Sequence, residues 1–380
     1  MRIQSLQYSE NDGTPQEWTI EGLSLGRCNL IVGKNASGKS RALNVISSLA
    51  RNLSGIQSPP LSANYDCHFI QGNDTYRYQV NVKDENVLTE RLSINNEIKL
   101  DRSTGGEGTI FAEIEGKPIR FHSPTTQFAA VMRRDAIQHK FLEPLYAWAS
   151  SLRHYQFGTS LGKDLLAIFM PQAAKLNERD PNAVVAIFRQ GQKEFGDNFT
   201  NALKQDLERI DYKVTSIGLQ QPVSVRVMGT PPGELMGLYV MEKDLPGVTD
   251  QHSMSQGMFR TLALLVHLNY CILKKSGTCI LIDDIGEGLD FDRSCALIDL
   301  LREKAAAADI QLILSTNDRF IMNRVPLEEW SVLQRKANHV SVKNYQNSRE
   351  IFEEFKFTGM SNFTFLEMDV INQPPGAIVH

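Results

Sequence analysis

Cysteine is scarce here, and the few that occur are scattered. Cys28, Cys67, Cys271, Cys279 and Cys295 are the five, without metal-binding spacing, and Cys279 falls inside an apolar stretch. That pattern excludes a disulfide framework and reads as reduced core thiols in a cytoplasmic protein. The eight histidines form no cluster at ligand spacing, so no dedicated zinc-type centre is expected. A charge run of one sign is also missing. Lys and Arg number 40 against 44 Asp and Glu, for a net charge of -4. A global nucleic-acid footprint is thereby excluded, while a local basic patch is not. Long apolar runs are absent as well: TLALLVHLNYCIL, at 261–273, contains His267 and Asn269 and is too short to cross a bilayer. There is no internal repeat and no long heptad arm. MRIQSLQYSE starts directly as a strand and not as a leader. The expectation is a soluble chain with no membrane partner. Its 380 residues exceed what one core usually takes, so two lobes or a domain with an insertion are expected.

What is present begins with IVGKNASGKS, at 31–40. Glycine, four residues and then Gly-Lys-Ser is the spacing of a phosphate-cradling loop. Leu30, Ile31 and Val32 make a short apolar strand before it, and SRALNVISSLARN reads as a helix after it. In such a loop the backbone N–H groups curl round phosphates, and the helix N-terminus adds partial positive charge. Lys39 would reach the β- and γ-phosphates and the Ser40 hydroxyl would hold Mg²⁺. Gly33 and Gly38 allow backbone conformations that a Cβ would block. The nucleotide-binding set read from this stretch is Gly33, Asn35, Ser37, Gly38, Lys39, Ser40 and Arg41.

The remainder falls into three stretches. Residues 1–122 hold the loop and then a run of short alternating segments separated by turn residues, the signal of an antiparallel meander. Residues 123–252 change period: QFAAVMRRDAIQHKFLEPLYAWASSL and AVVAIFRQ…NFTNALKQDLERI have helical spacing. Strands return there at VTSIGL, VSVRVM and LMGLYVM. Residues 253–380 alternate helix and strand, with CILID and QLILST as buried strands.

CILIDD, at 279–284, is an apolar strand ending in two acids. Asp283 is placed at the Mg²⁺ and Asp284 is the candidate for orienting or deprotonating water. HSMSQGMFRTLALLVHL puts Ser255 and Gly257 at the start of a long helix, which by itself reads first as a plain N-cap and only in the order of the other motifs as a second anion site.

The order of P-loop, Ser-x-Gly helix, paired acids and ILSTND resembles the ABC-type ATPase heads of the SMC/RecF group. It is similar above all to the short, soluble, OLD-like AAA ATPases. MSQGM looks like the signature motif, GEGLD like the D-loop, and STND sits where the switch-histidine motif falls. The resemblance implies an α/β P-loop NTPase fold, with a meander and a helical insert between P-loop and signature. It implies ATP and Mg²⁺ as cofactors, and two heads that sandwich two ATPs. Ser255 and Gly257 would then act on the nucleotide of the other copy in a homodimer. Two departures stand out. Asp284 replaces the usual glutamate, and Asn317 replaces the switch histidine. Asparagine can hydrogen-bond a phosphate but cannot shuttle protons near neutral pH, so slow turnover is expected. The glutamine that senses Mg²⁺ is not evident: Gln156 and Gln127 are the candidates, and each reads first as an ordinary polar surface residue. Asp290 falls at the dimer seam or acts as a helix N-cap. Arg133 and Arg134 read as phosphate or DNA contacts or as a solvated helix face.

Two functions follow from the resemblance. One is an ATPase dimer coupled to DNA or to an effector partner, in antiphage defence or DNA maintenance. The alternative is a slow nucleotide switch that holds a separate nuclease or toxin without binding DNA. A transporter subunit fits least, because the stretch between P-loop and signature is long and no membrane-coupling feature is visible.

Overall fold

The computed structural model describes residues 1–170, 176–225, 232–276 and 279–373. Two compact units result. One comprises Met1–Leu152, Gln311–Asn317 and Val325–His380; the other Arg153–Ile310 and Asp318–Arg324. No helix among the described residues is long and apolar enough to cross a membrane.

The sheet of the first unit runs, in spatial order, Gln311–Ser315, Cys28–Val32, Trp330–Lys336, His339–Asn344, Trp18–Ser24 and Arg2–Glu10. It continues through the meander Ser62–Gln71, Asp74–Lys83, Asn86–Ile94, Glu97–Arg102, Glu107–Ala112 and Lys117–His122. Cys28–Val32 lies between two parallel neighbours, with Ser315 against Ile31 and Trp330 against Leu30. That position explains its unbroken apolar run: Leu30, Ile31 and Val32 are fully buried. The meander strands alternate instead. On Asp74–Lys83, Tyr76, Tyr78, Val80 and Val82 are buried, while Arg77, Gln79 and Asn81 take the other face. Pairs of consecutive positive-φ residues close two hairpins, Asp84 (50°) with Glu85 (59°) and Asn95 (50°) with Asn96 (67°). This is the turn whose twist matches the strands. Helix Lys39–Leu53 packs on helix Glu143–Ser151, whose Trp148 meets Phe69 edge-on at 4.8 Å.

The stretch of helical spacing at 127–152 does not form one helix. The chain makes a short helix at Ala129–Met132, a single 3-10 turn at Lys140–Leu142 and then helix Glu143–Ser151. Two causes are visible. Glu90 accepts from the N–H groups of Ala129 and Ala130 at 2.6 and 2.8 Å, and Arg102 donates to the carbonyls of Pro124 and Gln127 at 2.8 and 2.7 Å. These tertiary bonds stop the chain at fixed points. Pro144 then restricts the backbone before it and sits in the first helical turn, where its missing N–H costs nothing.

In the second unit, strands Arg153–Gln156 and Cys279–Asp283 pair in parallel. Helices Val184–Phe195 and Asp197–Arg209 pack on the long helix Gln256–Lys274. Its buried stripe widens to nearly all sides over 261–271, as expected of a helix packed all round. Ala167–Phe169, Val214–Gln220, Glu234–Glu242 and Val248–Asp250 form a small antiparallel sheet. Of the VSVRVM segment, 223–225 is not strand, and 226–228 lies outside the described residues.

Candidate nucleotide-binding site

The loop from Gly33 to Ser40 leaves the C-terminal end of strand Cys28–Val32 and enters helix Lys39–Leu53. Three features fit it to an anion. The helix N-terminus has no side-chain cap and no acid in its first turn, so its leading N–H groups keep their positive end open. Ser37 is buried, 5 % exposed, and its hydroxyl has no hydrogen-bond partner. A Cβ on Gly33 would stand 2.6 Å from Ser37 Oγ and 2.9 Å from the Leu333 carbonyl, so a side chain there would fill the cradle. Gly38, at φ +103°, takes a conformation that favours glycine, and Ala36 at φ +62° marks the crest of the turn. Lys39 is buried and donates from Nζ to the Gly33 carbonyl at 3.0 Å, which folds the ammonium back over the loop. Arg335 donates to the Ala36 carbonyl at 3.2 Å and braces the crest.

The rest of the sequence-derived set is more dispersed. Asn35 and Ser40 are exposed. Arg41 is occupied: it pairs with Glu10 and its guanidinium lies 4.3 Å above the Trp18 ring. Asn317 is exposed two residues beyond Ser315, whose strand is the parallel neighbour of the strand before the loop. It therefore leaves the sheet at the same end as Gly33.

In the second unit Asp283 is the last residue of its strand and is 6 % exposed. Gln156 ends the parallel neighbour and is its register partner, and the Phe157 N–H donates to the Asp283 carbonyl at 2.9 Å. Of the two candidate glutamines, Gln156 is the one brought beside a candidate carboxylate. Gln127 follows the meander in the first unit, where its carbonyl accepts from Arg102. Asp284 turns out of the strand at φ +53°. Short polar side chains tolerate this region better than a longer one does.

Ser255 caps helix Gln256–Lys274, accepting from the Met258 N–H at 3.2 Å. Asp290 likewise caps helix Phe291–Ala307, accepting from the Arg293 N–H at 3.0 Å, and that bond leads in lowering its pKa. The N-cap readings of both residues therefore hold. Both also line one cavity of about 310 Å³, together with Gly257, Gly288, Tyr212 and Arg293. The signature-like and D-loop-like segments thus meet in one polar recess.

An SMC head bound to the C-terminal winged-helix domain of ScpA superposes with a TM-score of 0.51 at 15 % identity, over 90 % of this chain and 97 % of that one. The chain has the fold of an SMC head. An SMC head from Thermotoga maritima gives 0.45 at 14 % identity over 90 % and 99 % of the two chains. An SMC head with an extended coiled coil from Pyrococcus furiosus, bound to the C-terminal domain of ScpA, gives 0.44 at 12 % over 93 % and 99 %. No protein-family model matches the sequence, and no curated protein does.

Sequence reading missed three participants. Arg260 donates to the carbonyls of Gly158, Thr159 and Glu287. Gly158 lies so near Glu287 that a Cβ there would meet its Oε2 at 2.5 Å. Arg335 reaches Ala36 across 299 positions. None belongs to a local pattern, and both arginines are held by backbone carbonyls of distant residues, so no spacing could have announced them. Arg133 and Arg134 bind within the first unit, to Ser123 and to Glu143, as structural contacts.

Proposed function

We propose that this chain is an ATP-binding and slowly hydrolysing ABC-type head that dimerises around two nucleotides. One observation carries the reading: the open helix N-terminus with its buried, unpartnered Ser37 hydroxyl and its in-folded Lys39, set in a chain with an SMC-head fold. That cradle matches a phosphate in charge and hydrogen-bonding capacity.

In this reading Lys39 neutralises the β- and γ-phosphates. Ser40 from one unit and Asp283 from the other would hold Mg²⁺, Gln156 being the register partner of Asp283. No three His, Cys, Asp or Glu side chains among the described residues form a metal site by themselves. A Mg²⁺ shared with nucleotide phosphates needs only one or two carboxylates. The ion would supply charge neutralisation at the transferred phosphoryl group. Asp284 orients water, and Asn317 hydrogen-bonds without moving a proton. Ser255 and Gly257 offer a second helix N-terminus to the nucleotide of the other copy. ATP then acts as the glue between copies and hydrolysis as the release step.

The dimer is coupled to a separate effector protein or to DNA, in the manner of the OLD-like ATPases that the motifs resemble, in antiphage defence or DNA maintenance. Asp284 and Asn317 favour the slow-switch variant, in which DNA is not bound. The deciding experiment measures ATP turnover and solution mass with and without duplex DNA, alongside Asp284→Asn. A trapped dimer with DNA-stimulated turnover supports DNA coupling. A trapped dimer with slow, DNA-indifferent turnover supports the switch. No ATP binding at all sinks both.

A further inference from the structure

The Ser255 helix carries one side chain whose bonds no motif explains. Arg260 lies just past its first turn and sends its guanidinium across the base of two loops. Nε donates to Thr159 O at 2.7 Å, Nη2 to Gly158 O at 2.7 Å and Nη1 to Glu287 O at 3.1 Å. Gly158 and Thr159 follow Gln156 with only Phe157 between, and Glu287 sits midway between Asp284 and Asp290. The neighbouring glycines leave no slack. A Cβ on Gly288, whose φ is +84°, would stand 3.2 Å from Arg260 Nη1, and a Cβ on Gly257 would stand 2.7 Å from Gly288 O.

A guanidinium is planar, and its donors point in fixed directions. Three of them held by carbonyls of two different loops tie those loops to each other and to the helix that bears the arginine. An ion pair would not do this, because a carboxylate partner could rotate away with its own side chain. The carbonyls instead belong to the backbone that places Gln156 on one side and Asp284 on the other.

We infer that Arg260 is a positioning residue that couples anion engagement at the Ser255 end of its helix to the placement of Gln156 and of the Asp283–Asp290 loop in the same subunit. The inference rests on the nucleotide reading above. Closing the partner copy's nucleotide onto Ser255 shifts the helix, and the three bonds carry the shift to the loops that act on the subunit's own nucleotide. Binding in one site thereby sets hydrolytic geometry in the other.

The test is amide hydrogen exchange on the full chain with ATP and Mg²⁺, paired with steady-state turnover. Wild type is expected to slow its exchange over 33–40 on nucleotide binding, and over 156–159 and 284–290 on dimerisation. Arg260→Ala is expected to keep the first effect and, with Asp284→Asn added, the dimer, while losing the second. Its kcat should fall about 10- to 100-fold, the scale of a misplacement of up to 1 Å, with KM within about twofold. Arg260→Lys, which retains a cation but not the fork, should be intermediate. Retention of slowing in both loops by Arg260→Ala overturns the inference. So does a joint fall of kcat, affinity and melting temperature that Lys does not mend, because that is loss of fold. A wild-type chain without slowing at 33–40 overturns the nucleotide reading itself, and this is seen before any substitution is made.

Discussion

Gly257 lies with its backbone against the carbonyl of Gly288: a Cβ added to it would stand 2.7 Å from that oxygen and 3.0 Å from Leu289 Cδ2. The start of the Ser255 helix is therefore seated on the loop that ends at Asp290. Gly257→Ala must push the two apart. The expected outcome is a loss of about 1–3 kcal/mol, the usual scale of overpacking, together with weakened ATP-dependent dimerisation. Thermal melting and sedimentation in the presence of ATP check both. An unchanged melting temperature would show that the seat is looser than the geometry requires.

Lys39 and Ser255 should separate cleanly. Lys39→Ala removes the ammonium folded over Gly33, and loss of its charge-assisted bonds should weaken ATP binding by about two orders of magnitude or more. Ser255→Ala removes a cap from a long helix, at a cost of about 1 kcal/mol. It should leave monomer affinity nearly intact while blocking the dimer. Titration with a fluorescent ATP analogue, followed by solution mass, distinguishes them. Equal loss of affinity in both variants would argue against action on the other copy's nucleotide.

Asp284 combines two constraints. Its carboxylate is one methylene shorter than a glutamate, and its backbone sits at φ +53°. Asp284→Glu is expected to raise turnover by extending the carboxylate toward the water. It should also lose roughly 1 kcal/mol, because a longer side chain gains nothing local in the left-handed region. Asp284→Asn should keep the fold and trap the dimer, since asparagine accepts that conformation readily. Turnover that does not rise in Asp284→Glu removes the distance argument.

Local chemistry explains how much of this was legible. The loop from Gly33 to Ser40, the acids after CILI and the N-caps at Ser255 and Asp290 are short-range patterns, because the groups that satisfy one another are neighbours in sequence. The meander was legible because side-chain alternation and turn residues carry it. The pairing of Gln156 with Asp283 was not, since a parallel register links residues far apart. The broken helix at 127–152 was not either, because Glu90 and Arg102 override the helical pattern from meander strands earlier in the chain. The three carbonyls held by Arg260 show the same limit, as backbone acceptors leave no trace in residue type.

His267 sets an acid limit on the second unit. It is fully buried, its Nε2 faces the Pro181 carbonyl at 3.2 Å, and its ring lies 5.0 Å from that of Tyr155. Burial pushes its pKa down to about 3 from 6.5, and Arg153 adds to the fall. The folded chain therefore excludes a proton that the unfolded chain accepts. Its contribution is complete above about pH 6.5 and drains away as pH falls toward 3, by up to ~1.4 kcal/mol per unit. Urea denaturation between about pH 7 and pH 5 should show this slope. His267→Gln keeps an N–H donor for Pro181 and should flatten it. A slope unchanged in that variant would assign the acid sensitivity to another group.

Glu90 and Arg102 hold the first unit together at the exit of the meander, and the energetics of their pairing can be separated. Both side chains are fully buried at 3.6 Å. Glu90 accepts from Ala129, Ala130 and the Tyr78 hydroxyl, at 2.6, 2.8 and 2.9 Å. Burial raises the pKa of its carboxyl against the pull of those bonds. The ionised group is thus a cost to the fold above its folded pKa, relieved as pH falls, so the pair adds no acid lability. Removing one partner is another matter. Glu90→Ala leaves a buried guanidinium without its counter-charge and two N–H groups without an acceptor, which should cost about 3–5 kcal/mol in a denaturant titration. Adding Arg102→Met removes the stranded charge and should recover part of that loss. If the double variant is no more stable than Glu90→Ala, the cost lies in the backbone groups left unpaired, the N–H groups of Ala129 and Ala130 together with the carbonyls of Pro124 and Gln127.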